Sequence, residues 1–279
     1  MWSIAIQTGE TPLGFSDPPN IQNPVLRGCD VTDVRAAFVA DPFMIPFDDG
    51  WYMFFEVMNE DRGMGEIGLA TSADCLSWKY ERIVLREPFH LSYPYLFAKN
   101  GRFFMVPETL GLGSVQVYRA KRFPELWEPC ARIPIYGADP SLFEHAGLWW
   151  MFTASDPYHN ATLRLHSAEW LRGPWQEHPA SPIVANDKSI ARPAGRVVVD
   201  GGRIIRYTQD CEREYGTKVR AFEITELDRR SYREVEVAAS PVLEANANQP
   251  WRTRRAHHVD PHEISKGRWI SCVDGDCFD

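Results

Sequence analysis

Three aspartates, Asp41, Asp139 and Asp260, each stand directly before a proline, and two further copies of the surrounding phrase carry Tyr93 and Arg192 in that place. Carboxyl groups that recur at one point of a repeated phrase are candidates for chemistry that gathers acids from distant parts of a chain. Cleavage of a glycosidic bond is such a chemistry: one group protonates the departing oxygen while an opposed carboxylate assists water or attacks carbon. Asp41 is the first candidate for the base or nucleophile, and Asp139 for the second carboxylate. Glu108 closes the otherwise apolar run FFMVPE, and apolar surroundings raise a carboxyl pKa towards neutrality, as a proton donor requires. It is the candidate acid. Plainer readings stand beside these: an Asp before Pro commonly caps its own turn, and a Glu at a strand end is ordinarily a solvated loop residue.

A fixed planar guanidinium grips a carboxylate or phosphate bidentately, so Arg192 suggests a substrate with an anionic group, such as a uronic acid, a sugar phosphate or a nucleotide sugar. Its alternative is a salt bridge to Asp139 or Asp260 inside a crowded acidic ring. Further along, His257, His258, Asp260 and His262 form the densest polar cluster. On a strand, His258, Asp260 and His262 share one side, as metal ligands would. Three ligands from one strand is an unusual geometry, so no transition metal is assigned. The preferred reading is that a histidine such as His258, with Asp260, contacts sugar hydroxyls or tunes a carboxylate. Tyr93 and Tyr95 are candidates for stacking on a sugar ring. Phe54, Phe55, Phe104, Trp149 and Trp150 fall mid-strand at both parities and read as core.

Positioning such residues is the work of a repeat. The shared pattern is one residue, then Pro, a short alternating strand, a Gly turn and a strand rich in aromatic and β-branched residues. Its prolines, Pro42, Pro94, Pro140, Pro193 and Pro261, are 52, 46, 53 and 68 residues apart, close to the length of a propeller blade. Each Xaa-Pro reads as the start of a first strand, with Pro at its first residue where a missing N–H does least damage. The Gly turn makes a hairpin to strand two; GEIGLATS, GSVQVYRA, ATLRLHSA and TKVRAFEI supply strand three, and a weaker fourth lies around Trp78, Trp127, Trp175 and Tyr232. The fifth copy lacks strands three and four. The orphan WSIAIQTG and the run Pro24 to Leu26, which resembles SPIV and SPVL of later blades, would complete it and remove the exposed edges of an open array.

The expectation is therefore an all-β, five-bladed propeller of four antiparallel strands per blade, one domain over residues 1–279. Its first strands line a channel, so Asp41, Tyr93, Asp139, Arg192 and Asp260 form a ring at one mouth. Strand two returns antiparallel, which sets Glu56, Glu108, Ser155, Asp210 and Asp274 in a second, outer ring. Glu56 and Asp210 join Arg192, Tyr93, Tyr95, His258 and Asp260 as candidate substrate-binding residues.

Composition narrows the partners. A formal charge of −8 argues against a nucleic-acid polymer, whose binding needs concentrated Lys and Arg. No run is long and apolar enough for a membrane span, and MWSIAIQTGE lacks a basic leader, so a cytoplasmic location is expected. Six cysteines at irregular spacings suggest neither a disulfide framework nor a zinc knuckle.

Asp41-Pro42 and Asp139-Pro140 resemble the five-bladed superfamily of arabinanases, xylosidases and invertases. That resemblance implies a first-blade catalytic Asp (Asp41), a third-blade Asp that orients or tunes the site (Asp139) and a fourth-blade Glu as acid, where this chain has Arg192 in ARPAGR. It also allows a central Ca2+, although no cofactor is required. HLSYPYLFAKNGRFFMVPET, ARPAGR, TQDCEREYG and HHVDP are similar, over nearly the whole chain, to the N-terminal propeller of plant glucosamine inositolphosphorylceramide transferases and related bacterial proteins. Three functions remain open: a glycosidase-like enzyme, placed first; a glycosyltransferase or sugar-transfer component using a phosphate-activated sugar, which would make Arg192 natural; and a glycan-binding module without catalysis.

Overall fold

The computed structural model describes residues 1–278, and the chain forms five four-stranded antiparallel blades. Blade one runs through Ala36–Phe47, Gly50–Asn59, Met64–Ser72 and Lys79–Leu85; blade two through Ser92–Lys99, Arg102–Glu108, Val115–Arg122 and Leu126–Ile133. Blade three uses Ala138–His145, Leu148–Ala154 and Thr162–Ala168. Its outer edge is split into Gln176–Glu177 and Val184–Ala185. Blade four has a split inner strand, Arg192–Pro193 and Val198–Asp200, followed by Arg203–Asp210, Lys218–Leu227 and a split outer edge, Tyr232–Glu236 and Leu243–Glu244. The hairpins form where the Gly turns stand. Asn100-Gly101, Ala146-Gly147 and Gly201-Gly202 hold two successive positive φ angles, the twist that joins neighbouring strands tightly.

Blade five is built from both ends of the chain. Val259–Ser265 and Arg268–Asp276 pair with Trp2–Thr11 in the register Trp2↔Asp276 to Gly9↔Trp269. The outermost strand is Gly14–Ser16, paired with Thr8 to Thr11, which corrects the expectation that Pro24 to Leu26 alone would fill that place. Leu26 instead bridges Ile4, so the two segments share the edge. Val184 and Leu243, from SPIV and SPVL, bridge the third strands of blades three and four in the same way.

A second correction concerns the prolines. Pro42, Pro94 and Pro140 do not begin their strands; the register jumps from Ala40↔Glu56 to Phe43↔Phe54, from Ser92↔Glu108 to Tyr95↔Val106, and from Ala138↔Ala154 to Ser141↔Phe152. Each Xaa-Pro is thus the extra pair of a bulge, a place where a ladder N–H is not needed.

The core lies between blades. Phe54, Phe55 and Trp150 are fully buried and Trp149 nearly so, each contributing about 1.5–3 kcal/mol relative to exposure. Phe104 is only half-buried and lines a groove described below. All six cysteines are unpaired. Among the described residues no helix is long and apolar enough to cross a membrane.

Candidate functional site at one mouth of the channel

The bulges give the site its form. Asp41, Tyr93 and Asp139 adopt left-handed backbone, with φ of 53°, 47° and 50°, a conformation that costs a non-glycine residue about 1 kcal/mol or more. The turned backbone aims each N–H at a neighbouring carboxyl group. Asp41 N–H donates to Asp274 Oδ2 (3.1 Å), Tyr93 N–H to Asp41 Oδ2 (3.3 Å) and Asp139 N–H to Glu108 Oε2 (3.3 Å). Adjacent blades are thereby stitched together through the same carboxyl groups that line the mouth.

Arg192 completes this layer. Its Nε donates to Asp139 Oδ2 (2.6 Å), Nη2 to Asp139 Oδ1 (3.4 Å) and Glu108 Oε2 (3.3 Å), and Nη1 to Asn160 Oδ1 (2.9 Å) and Pro157 O (3.2 Å). A guanidinium has five N–H donors, and all are committed within the protein. The expectation that Arg192 grips a substrate anion is corrected accordingly: its charge is spent on the acidic cluster, the salt-bridge alternative weighed for it.

Burial and then the charge of Asp139 push the Glu108 carboxyl up to about 8, with Arg192 opposing. Burial and then the carboxylates of Glu56, Asp274 and Asp139 push Asp41 well above the usual range. Asp274 goes the other way. Burial would raise it, but His257 and the N–H groups it accepts hold it low. His257 Nδ1 lies 2.7 Å from Asp274 Oδ1, and its Nε2 3.6 Å from Asp41 Oδ1.

Beneath this layer the channel is crossed by side chains. Tyr93 Oη bonds Ser141 Oγ (2.7 Å), accepts from Gly195 N–H (2.7 Å) and donates to Gly195 O (2.9 Å). Tyr95 Oη donates to Leu142 O, and both tyrosines are buried. Neither ring has a free face for a sugar, which overturns their expected stacking role. Asp260 also departs from the expected ring. Blade five has no bulge here, Asp260↔Cys272 and Pro261↔Ser271 staying in register, so its carboxylate lies lower. It accepts from Met44 N–H (2.7 Å), Arg196 Nε (2.6 Å) and pairs with His262 (2.9 Å). Arg196 also reaches Leu96 O (2.9 Å) and Met44 O (3.4 Å), closing the channel. His258 lies between the layers, fully buried, with both ring nitrogens lacking a hydrogen-bond partner. Burial lowers it to about 4, which keeps it neutral.

Glu56 faces His90, whose Nε2 is 3.2 Å away. Burial disfavours charge on His90, yet the Glu56 hydrogen bond and carboxylate override it and raise its pKa. Asp210 turns aside to Lys218 (3.5 Å) and Arg220 (3.7 Å) on the neighbouring strand; its predecessor Gln209 points inward and donates to Asp139 Oδ2 (3.3 Å).

Several members of the site were not read from the sequence: His90, Asn160, Gln209, Arg196 and Tyr215. The Tyr215 ring lies 5.1 Å from the Arg192 guanidinium and 5.3 Å from the His257 ring. Its loop fits closely because Gly216, with φ of 65°, leaves no room for a Cβ, which would stand 2.6 Å from His257 Cβ. The motif TQDCEREYG was the available signal.

Donor atoms of Asp41, His257 and Asp274 lie within 4.8 Å of one another, and the unpartnered His258 Nδ1 is 3.7 Å from Asp41 Oδ1. Two carboxylates with imidazoles are a poor set for calcium, which takes about six to eight oxygen ligands. They would suit a transition-metal ion better.

A closed five-bladed propeller with an acidic mouth defines the structural class. The chain belongs to the family described as "Glucosamine inositolphosphorylceramide transferase 1, N-terminal", which matches residues 2–276. It is 33% identical over 298 residues to glucosamine inositolphosphorylceramide transferase 1 of Oryza sativa subsp. indica, covering 99% of this chain and 40% of that protein. To its Arabidopsis thaliana counterpart it is 32% identical over 298 residues, covering 99% and 39%. The chain therefore spans about 40% of the length of the curated relatives it matches. Among solved structures it resembles RS223-β-xylosidase (TM-score 0.60, 13% identity, 76% of this chain and 77% of that one). It also resembles an exo-β-1,3-galactanase from Clostridium thermocellum (TM-score 0.58, 13% identity, 86% and 56%). At those identities the likeness is one of fold.

Proposed function

We propose that the channel mouth binds a carbohydrate and acts on a glycosidic bond, with Glu108 as proton donor and Asp41 and Asp139 as the opposed carboxyl groups. One observation supports this most: carboxyl groups of four blades, Asp41, Glu108, Asp139 and Asp274, meet at one rim, linked through each other's backbone N–H groups and Arg192, and burial there pushes Glu108 up to about 8. A carboxyl group kept neutral by burial beside other carboxyl groups is what a proton donor requires. Proteins named xylosidase and galactanase share the fold, which supports the reading by analogy. Because Arg192 has no uncommitted donor, neutral sugars belong to the ligand class as much as acidic ones.

A second reading is favoured by family membership. The plant relatives are called transferases, and this chain matches only part of them, so the propeller would hold a sugar substrate for a transfer reaction. Thermal-shift screening against neutral glycosides, uronates, sugar phosphates and nucleotide sugars separates the two, since ligands that bind only the folded state raise its melting temperature. Hydrolysis of a stabilising glycoside should fall about 100-fold or more in Glu108→Gln and in Asp41→Asn. Turnover within about tenfold of the parent in either variant removes that residue from the chemistry. Stabilisation by nucleotide sugars alone supports transfer.

A further inference from the structure

The face opposite the carboxyl-lined mouth carries a second recess. Inner strands run from that mouth down to the turns Asn100-Gly101 and Ala146-Gly147, so the turns of blades two and three open on the far side. Between them and residues 169–173 lies a groove of about 880 Å³. Phe104, Trp149, Leu171 and Trp170 supply its apolar wall, and Trp170 is 70% exposed.

Four cations, Lys99, Arg102, Arg119 and Arg172, line the same groove beside two carboxylates, Glu144 and Glu169, on a chain whose formal charge is −8. Both carboxylates are occupied. Lys99 pairs with Glu144, and Arg229 with Glu169 at 3.0 Å. Arg119 is likewise matched by Glu128. Among the described residues Arg102 and Arg172 have no ion-pair partner and are exposed, so two free guanidinium groups flank a water-facing indole.

We propose that this groove docks an anionic lipid at a membrane surface, its phosphate held by Arg102 and Arg172 and its first methylenes lying against Trp170, Trp149 and Phe104. Trp170, Leu171 and Arg172 are consecutive, and an exposed indole beside an aliphatic and a cationic side chain is the combination that settles at a headgroup boundary. Glu144 and Glu169 are turned to Lys99 and Arg229, and two unpaired guanidinium groups match a phosphate oxyanion better than they match hydroxyl groups. The acidic mouth would face away from the lipid, so both sites could be occupied together. This inference does not rest on the glycosidic reading.

Co-sedimentation of the whole chain with phosphatidylcholine vesicles, with and without phosphatidylinositol, tests it. Binding should require the anionic lipid. Arg102→Ala and Arg172→Ala should each weaken it about fivefold, and together about thirtyfold, as expected for cations near an anionic surface. Trp170→Ala should weaken it about tenfold. All three residues are exposed, and unchanged melting temperatures without vesicles would confirm that the variants fold. Equal binding to both vesicle types, full retention of binding in the double variant, displacement by inorganic phosphate at matched concentration, or preference for polygalacturonate would each overturn the proposal.

Discussion

Glu108 retains a proton near neutrality because a dry carboxyl group beside Asp139 gains too little from Arg192 to ionise early. The consequence for stability has a definite sign. Between the ordinary value of 4.5 and about 8, the unfolded chain has released a proton that folded Glu108 keeps, so stability falls as pH rises through that window. The upward shift of Asp41 acts in the same direction. Glu108→Gln cannot ionise, and its melting temperature should decline less steeply than the parent's between about pH 5 and about pH 8. Parallel slopes would mean that another group carries the effect. The upward pKa shift was legible in the apolar run FFMVPE. The fate of Arg192 was half legible: the sequence offered salt bridge and anion grip, and only the positions of Asn160 and Pro157, distant in the chain, show that no N–H is left over.

At the scale of elements, the hairpins, their Gly turns and the closing pair of terminal strands followed from a repeat of alternating aromatic strands. The bulges did not. An Asp before Pro looks alike whether it starts a strand or sits in a left-handed kink, and a tyrosine with φ of 47° has no sequence signature, being held there by its hydroxyl on Ser141 and Gly195. Asp260 shares its neighbours' sequence context but not their kink, which is why it sits a layer lower. Gly195 carries another unread constraint. Its φ is 126°, and a Cβ there would stand 1.8 Å from Val259 O, at the bridge between the inner strands of blades four and five. Gly195→Ala should cost about 3 kcal/mol or more, lowering the melting temperature by about 6 °C or more. A change under about 2 °C would show that the junction yields readily.

At the scale of the molecule, closure depends on Trp2–Thr11 lying between Arg268–Asp276 and Gly14–Ser16. Deleting residues 1–16 would leave blade five two-stranded and expose Ile270 and Cys272, which pack against Ile4 and Ile6. The truncated chain should lose its cooperative thermal transition; a sharp transition within a few degrees of the parent's would show that four blades suffice to hold the rest. The sequence carried this closure because the orphan strands stood at opposite ends, whereas the crossing of the channel by Arg196 was hidden in the second arginine of ARPAGR. That crossing ties Asp260, Leu96 and Met44 into a floor. With the propeller axis barred by these bonds, a polymer chain that met the acidic rim could not be threaded through the molecule to the opposite face.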